Sequence, residues 1–177
     1  MVGLGWWGQH ILSTIQGHSD KLRFVSGVDL RAAQLGDLAQ KHSIQLETSL
    51  EAVLTSSEID AVVLATPHSL HEEQIVAAAN AGKHVFCEKP VALTRDSAER
   101  AVATCNDAGV TLGVGHERRF EPAMIEVKRM IDAGELGEIL HVESSFSHDK
   151  LKGLSAEDWR AADSESPAAA MTATGIH

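Results

Sequence analysis

The sequence predicts an α/β fold, with a doubly wound parallel sheet followed by the start of a second α/β domain. Short apolar runs rich in β-branched residues alternate with amphipathic segments, which is typical of such sheets. The chain opens with a G-x-G-x-x-G spacing, and polar residues follow the ends of the apolar runs. A length of 177 residues suits one complete domain and part of another. We place the first domain at 1–120 and the second at 121–177.

Four apolar runs are predicted as buried parallel strands, since each is short and bounded by Gly, Pro or Asp. They are "LRFVSGVD", "AVVLAT", "HVFCE" and "TLGVG". The amphipathic segments between them are predicted as helices over 9–15, 32–42, 50–54, 72–81 and 96–108. The order is βαβα, so ligands are expected at the carboxyl ends of the strands.

The second domain begins with a predicted helix over 123–133. The segment "ILHVESSFS" (139–147) then alternates apolar and polar residues, which predicts a half-exposed strand of a different sheet. The remaining residues read as loop and then as an Ala-rich, helix-like stretch. The second domain therefore starts within this sequence.

Gly3, Gly5 and Gly8 have the spacing of a loop that wraps the pyrophosphate of a dinucleotide. Asp29 follows about twenty residues later at a strand end, where a carboxylate accepts hydrogen bonds from ribose hydroxyls. An incidental turn with a helix-capping Asp29 is the competing interpretation. Asp29 favours NAD over NADP, because it repels a 2′-phosphate. Arg31, two residues later, is able to neutralise such a phosphate, but at the start of a helix an arginine more often points into solvent. Only Met1 and Val2 precede Gly3, so we expect a fragment with a shortened first strand.

The composition excludes several functional classes. A formal charge of −10 without a local basic patch argues against nucleic acid and anionic membranes. The sequence shows neither a spanning helix nor a signal peptide, so a cytoplasmic location is expected. Cys87 and Cys105 are interpreted as reduced thiols, Cys87 as a buried small hydrophobe rather than a nucleophile. The histidines lack metal-ligand spacing, and no metal is predicted.

Two further features concern a site at the strand ends. Trp6 and Trp7 stand where the loop enters its helix, where a tryptophan either covers a cofactor or packs in the core; we expect core packing for at least one. Lys89 follows a strand, beside Glu88 and before Pro90, and faces the expected cofactor crevice. A lysine at this edge is a candidate catalytic residue.

Taken together, "GLGWWG", "VD", "ATPHSLH", "CEKPVAL", "GHERRFEP" and "GIH" resemble, in order and spacing, the glucose-fructose oxidoreductase and inositol dehydrogenase family, Gfo/Idh/MocA. The resemblance covers essentially the whole chain. It implies a Rossmann domain followed by an α/β domain that forms the substrate wall and often a subunit interface. A homo-oligomer is therefore expected for the complete protein.

The resemblance also assigns roles by position. Lys89 and His177 are the implied catalytic residues, and Lys89, Arg118 and His177 are implied to bind the substrate. Many members carry an aspartate four residues before that histidine, where this chain has Ala173. The full set of candidate cofactor-binding residues is Gly3, Gly5, Trp6, Trp7, Gly8, Asp29, Thr66, Pro67, His68, His71, Glu88 and Lys89.

The resulting hypothesis is an NAD(P)-dependent oxidoreductase that transfers a hydride between a sugar, cyclitol or related polyol and the nicotinamide. A dinucleotide-binding regulator without turnover is one alternative, and an NAD-dependent glycosidase of the same family is another. The isolated chain is expected to be inactive as a fragment.

Overall fold

Short parallel strands and the residues Met1 and Val2 build the sheet of the first part of the chain. The computed structural model describes residues 1–147, 149, 152, 153, 155, 158–167 and 171–176. The chain divides into two compact units, Met1–Gly115 and His116–His177. The elements of the first unit are α1 (Trp6–Ile15), β1 (Ser26–Val28), α2 (Gly36–His42), β2 (Gln45–Glu47), α3 (Leu50–Leu54), β3 (Ala61–Leu64), α4 (His71–Asn80), β4 (His84–Cys87), α5 (Arg95–Asp107) and β5 (Leu112–Val114).

Val2 joins the two halves of the sheet. It forms parallel bridges with Val28 of β1 on one side and Leu64 of β3 on the other. β1 pairs with β2, and β3 pairs with β4, which pairs with β5, all in parallel. The order β2-β1-Val2-β3-β4-β5 is the strand order of a doubly wound dinucleotide-binding sheet. The predicted α/β fold class is thereby confirmed, and the first, central strand consists here of Met1 and Val2.

Apolar side chains cover both faces of this sheet, as a doubly wound fold requires. Met1, Leu4, Leu12 and Ile44 form one buried cluster, with α1 and α2 packed on it. The larger cluster lies on the opposite face, where α3, α4 and α5 contribute. Its buried members are Val2, Val28, Val53, Val62, Leu64, Ile75, Ala78, Ala79, Val85, Cys87, Ala101 and Cys105. Because Met1 and Val2 point to opposite faces, this two-residue strand contributes to both clusters.

Most predicted elements occur close to their predicted bounds, and local chemistry explains their ends. Ser49 caps α3 by accepting a hydrogen bond from the Glu51 N–H, and Thr94 caps α5 by accepting one from the Ser97 N–H. The predicted helix over 32–42 is a 3₁₀ turn, Ala32–Gln34, followed by α2. The strand β2 was not predicted, because its three residues leave only a very short apolar pattern.

In the second unit, α6 (Pro122–Asp132) begins one residue before the predicted helix, with Pro122 in its first turn. The strand predicted over 139–147 is wrong. These residues have no ladder partner among the described residues, and Leu140 and Val142 are exposed. An alternating pattern marks a strand only when a neighbouring strand supplies its hydrogen bonds. None of the helices among the described residues has the length and apolar character to span a membrane.

Candidate cofactor site

The glycine loop joins Val2 to the first turn of α1, and each glycine meets different surroundings. Gly3 has φ +84°, and a Cβ there would lie 2.6 Å from the carbonyl oxygen of Ala65. A Cβ at Gly8 would lie 1.9 Å from the carbonyl oxygen of Gly3, so only glycine allows α1 to approach the loop. Around Gly5, nothing lies within 4 Å of the Cβ position. Gly3 and Gly8 are thus needed for close packing, whereas Gly5 leaves open space at the N-terminus of α1.

Asp29, at the end of β1, is bonded to this loop. Its Oδ2 accepts a hydrogen bond from the Leu4 N–H at 2.9 Å, which fixes the loop between Gly3 and Gly5. Arg31 does not point into solvent as predicted. Its backbone N–H donates to Asp29 Oδ1 at 2.9 Å, and its Nε and Nη2 reach Oδ1 at 3.2 Å and Oδ2 at 3.4 Å. The local hydrogen bonds of a turn bring this guanidinium back onto the carboxylate.

The pKa of Asp29 reflects this environment. Burial by itself favours the neutral acid, but hydrogen bonds from the Arg31 side chain, from the Arg31 N–H and from the Leu4 N–H outweigh burial and hold the pKa below its usual value. Asp29 is therefore a carboxylate at neutral pH. A carboxylate at this strand end suits the recognition of ribose hydroxyls.

Trp6 and Trp7 occupy the first turn of α1 and form an aromatic cluster with His10. The Trp6 and Trp7 rings lie 5.4 Å apart, and the Trp7 and His10 rings are stacked at 5.0 Å. Trp6 is 73% exposed and Trp7 is half-buried, so the prediction that at least one of them packs in the core is wrong. Neither tryptophan belongs to the two buried apolar clusters of the sheet. Their proposed contact with a cofactor stays a prediction.

The loop after β3 is tied to the loop after β4 by a buried histidine. The Nδ1 atom of His71 lies 2.7 Å from the carbonyl oxygen of Pro90, and its Nε2 atom lies 3.0 Å from that of Thr66. Thr66 also donates a hydrogen bond from its hydroxyl to Gln74 at 2.6 Å. His71 is fully buried, so it holds the two loops in place and presents no surface to a ligand. Pro67 and His68 of the same loop are half-buried.

Glu88 and Lys89 follow β4 at the same edge of the sheet. The Glu88 N–H continues the ladder by donating to the Leu64 carbonyl at 2.9 Å, and its side chain is buried. The Glu88 carboxylate lies against the α-carbon of Gly115, where a Cβ would be 2.8 Å from its Oε1 atom. Lys89 is half-buried, and its backbone N–H lies 3.3 Å from Glu88 Oε2. Packing thus fixes the backbone that carries Lys89.

Both cysteines are predicted to be unreactive in the folded chain. Burial, and secondarily the charge of Glu88, raises the pKa of Cys87 far above its ordinary value, and burial raises that of Cys105. Thiolate is the reactive species, so modification by a disulfide reagent at pH 8 should be at least ~100-fold slower than in the urea-unfolded chain. Fast labelling of a folded Cys87→Ala variant would show that Cys105 contradicts this expectation.

Arg118 belongs to the second unit, where its guanidinium lies 4.7 Å from the Phe146 ring centroid and donates to Glu121 at 3.0 Å. His177 lies outside the described residues, and so does the side chain of Ala173. The roles predicted for Arg118 and His177 therefore stay predictions. Among the residues that the structure describes, no three His, Cys, Asp or Glu side chains are grouped to hold a metal ion.

The family comparison agrees with this geometry. The family "GFO_IDH_MocA: Oxidoreductase family, NAD-binding Rossmann fold" matches residues 1–116, more than half of the chain. The chain belongs to the Gfo/Idh/MocA family. The C-terminal domain of the same family matches residues 124–177. The resemblance stated from the sequence motifs is confirmed.

Two solved structures and one curated protein illustrate how this Gfo/Idh/MocA chain relates to others. It is 32% identical over 145 residues to the 2,7-anhydro-N-acetylneuraminate hydratase of Mediterraneibacter gnavus, covering 82% of this chain and 38% of that protein. An oxidoreductase of Desulfitobacterium hafniense described as NADPH-dependent superposes with a TM-score of 0.88 at 28% identity, covering 99% of this chain and 51% of that one. The scyllo-inositol dehydrogenase of Lactobacillus casei with bound NAD(H) and scyllo-inositol gives a TM-score of 0.73 at 27% identity, covering 78% and 41%. The chain thus spans well under two thirds of the curated relative's length.

Sequence reasoning missed several residues that support the site of this Gfo/Idh/MocA member. Gln9 donates from its side chain to the Leu4 carbonyl at 2.8 Å, so both polar groups of the Leu4 backbone are held by side chains. Gln74 holds Thr66, and Gly115 makes room for Glu88. Glutamines on a helix carry no signal of their own in one sequence. The glycine directly after the strand "TLGV" was the one available signal, since glycine at a strand end marks a close approach.

Proposed function

We propose that this chain carries the cofactor-binding part of an oxidoreductase that transfers a hydride between a secondary alcohol of a sugar, cyclitol or related polyol and a nicotinamide cofactor. The observation that carries the proposal is the arrangement of the glycine loop, Asp29 and Lys89 on one edge of a single parallel sheet. Ligands of open α/β sheets bind along this edge. The kinship with scyllo-inositol dehydrogenase supports the substrate class.

The sheet sets the distance between the loop and the lysine. Gly3 follows the central Met1–Val2 strand, and Lys89 follows β4, with β3 between them. Neighbouring strands are spaced by about 4.8 Å, so the two groups lie roughly 10 Å apart across the edge. His71 ties the loops after β3 and β4 to each other. These contacts support a fixed position for the backbone of Lys89, which directly precedes Pro90, next to the loop after β3.

The residues present fit a dinucleotide. Open space at Gly5 and the N-terminus of a ten-residue helix, α1, suit a pyrophosphate, and the Asp29 carboxylate suits a ribose. We propose NAD as the preferred cofactor, held by Gly3, Gly5 and Gly8 at the pyrophosphate. Trp6 and Trp7 would cover the cofactor, and the loop of Thr66, Pro67 and His68 would line it. Glu88 and Lys89 would lie near the nicotinamide. When bound, the nicotinamide accepts or donates the hydride.

Lys89 and His177 divide the remaining chemistry in this proposal. The Lys89 ammonium donates a hydrogen bond to the reacting oxygen and stabilises negative charge there as the hydride leaves. Histidine, whose unperturbed pKa is about 6.5, is suited to accept the hydroxyl proton near neutral pH, and His177 is the proposed base. Arg118 is proposed to bind the substrate. The complete protein is proposed to be a cytosolic homo-oligomer.

Replacing Lys89 tests this function. In the complete gene product, Lys89→Ala should lower the rate of hydride transfer at least ~100-fold, which is the scale of a lost proton-transfer or electrostatic group. The dissociation constant of NADH should change little, because the pyrophosphate and ribose contacts are made elsewhere. Single-turnover absorbance at 340 nm over a panel of polyols, together with NADH titration, measures both.

Lys83 provides the matched control. It precedes β4, at the opposite edge of the sheet, where its ammonium donates to the Ser56 carbonyl at 2.8 Å. Lys83→Ala should leave hydride transfer unchanged within about 3-fold, the spread expected of a group outside the site.

Near-normal turnover in Lys89→Ala would exclude Lys89 from the mechanism. Dinucleotide binding without turnover on any polyol would support a regulator, and sugar release without net NADH formation would support a glycosidase.

A further inference from the structure

The buried side chain of His71 lies between two carbonyl groups that belong to different loops. His71 is the first residue of α4, which packs into the core through Ile75 and Ala78. Its Nδ1 atom lies 2.7 Å from the carbonyl oxygen of Pro90, after β4, and its Nε2 atom lies 3.0 Å from that of Thr66, after β3. Both distances are those of hydrogen bonds, and a carbonyl oxygen can only accept. His71 is therefore a donor held by a rigid helix.

The shorter of the two contacts places a proton on Nδ1. A neutral imidazole carries one N–H and donates through one nitrogen, whereas an imidazolium ring carries two. The shorter distance assigns the N–H of a neutral ring to Nδ1, and an imidazolium ring has an N–H there as well. In either protonation state the Pro90 carbonyl accepts a hydrogen bond from Nδ1. Pro90 is buried, so without this donor its carbonyl would lose its partner out of reach of water.

This hydrogen bond restrains the backbone that follows Lys89. The residue before it, Glu88, is fixed by the sheet, because the Glu88 N–H donates to the Leu64 carbonyl at 2.9 Å. The residue after it, Pro90, is held by His71 at its carbonyl, and the proline ring restricts its φ to about −65°. The backbone of Lys89 is thus restrained from both sides, by the sheet on one and by α4 on the other.

We infer that His71 is a positioning residue for Lys89 and acts through the hydrogen bond from Nδ1 to the Pro90 carbonyl. The inference rests on the proposed function, because it requires Lys89 to act on the reacting oxygen. A misplacement of about 1 Å is enough to lower the rate of an enzymatic reaction ~100-fold. The Nε2 atom holds the loop of Thr66 instead, so the two ring nitrogens restrain different loops.

Asparagine and glutamine at position 71 separate the two contacts. The amide nitrogen of asparagine is attached to Cγ, as Nδ1 is in histidine, and that of glutamine is attached to Cδ, at the level of Nε2. His71→Asn therefore keeps a donor for the Pro90 carbonyl, and His71→Gln keeps one for the Thr66 carbonyl. Because each variant loses one hydrogen bond and the charge of neither depends on pH, each is the matched control of the other.

Single-turnover hydride transfer in the complete gene product tests the inference, with saturating NAD and scyllo-inositol or the fastest polyol of the panel. His71→Gln should lower the rate at least ~10-fold, because Lys89 is no longer restrained, and should change the dissociation constant of NADH by less than ~3-fold. His71→Asn should keep the rate within ~3-fold of that of the unsubstituted protein. In a Lys89→Ala background, His71→Gln should cause no further loss, since it acts through the lysine that is absent.

The outcomes separate this inference from the proposed function. A rate in His71→Asn no higher than in His71→Gln, or a further loss from His71→Gln in the Lys89→Ala background, overturns the inference and leaves the proposed function standing. An unprotonated Nδ1 in the nitrogen NMR spectrum of the unsubstituted protein overturns it as well. Near-normal turnover in Lys89→Ala alone means that the proposed role of Lys89 fails, and the inference fails with it. Melting temperatures above the assay temperature exclude unfolding as the cause of a lost rate.

Discussion

Unfolding by urea is expected to show that a chain with a free amine at Met1 gains about 4 kcal/mol of stability between pH 5 and pH 8. Met1 is 7% exposed, and its amine donates to the Ser26 carbonyl at 2.8 Å inside the sheet. Burial disfavours the charged ammonium and lowers the pKa of this amine from 8.0 to about 5. A tenfold change in proton affinity corresponds to about 1.4 kcal/mol, which gives the expected total.

The sign follows from proton binding in the two states. Between pH 5 and pH 8 the unfolded chain holds a proton on its amine and the folded chain does not, so a rise in pH favours the folded state. The stability is complete above about pH 8, the unfolded pKa, and is lost progressively as the pH falls toward 5. The lowered pKa of Asp29 adds its own loss of stability only at lower pH, where carboxylates protonate.

The same chain acetylated at Met1 is the control. Acetylation keeps one N–H for the Ser26 carbonyl and removes the ionisable amine. All histidines are identical in the two chains, so the difference between their stability curves isolates the amine. If the free energies of unfolding of the two chains differ by the same amount at every pH from 5 to 8, the prediction is wrong. That result would mean that the amine is solvated in the folded chain.

The alternation of strands and helices was readable from the sequence because buried parallel strands leave apolar runs bounded by turn residues. Sequence periodicity does not predict strand β2, because its three residues, Gln45–Glu47, are too few to show a repeating pattern. The run over 139–147 showed the opposite error. Its alternation is clear, but a strand depends on a partner, and no such partner is encoded locally. Periodicity thus predicts which face is apolar more safely than it predicts pairing.

The sequence predicts those parts of the candidate site in which a function requires one particular residue type at a fixed spacing in the chain. Gly3, Gly8 and Asp29 meet this condition, and the structure brings them together around the Leu4 N–H. The return of Arg31 onto Asp29 was not predictable, because a side chain two residues along a turn has several accessible rotamers. The bridge made by His71 was hidden for another reason. His71 and its partner Pro90 are nineteen residues apart in the sequence, and only the fold brings them together.

Gly8→Ala is expected to destabilise the chain by at least about 3 kcal/mol in urea unfolding. The added methyl group would lie 1.9 Å from the carbonyl oxygen of Gly3, and backbone on both sides must shift to admit it. Alanine is about 1 kcal/mol better than glycine inside a helix, which offsets only part of this loss. A variant as stable as the unsubstituted chain would show that α1 does not approach the loop this closely.

Gly5→Ala separates the folding role of the loop from its binding role. Gly5 has φ −68° and ψ −175°, which alanine adopts freely, and nothing lies within 4 Å of its Cβ position. As an N-cap, alanine costs no more than about 1 kcal/mol relative to glycine. The methyl group would nevertheless fill the space through which a pyrophosphate approaches the backbone, so NADH binding should weaken at least ~10-fold. Unchanged NADH affinity in this stable variant would mean that the open space at Gly5 does not receive the cofactor.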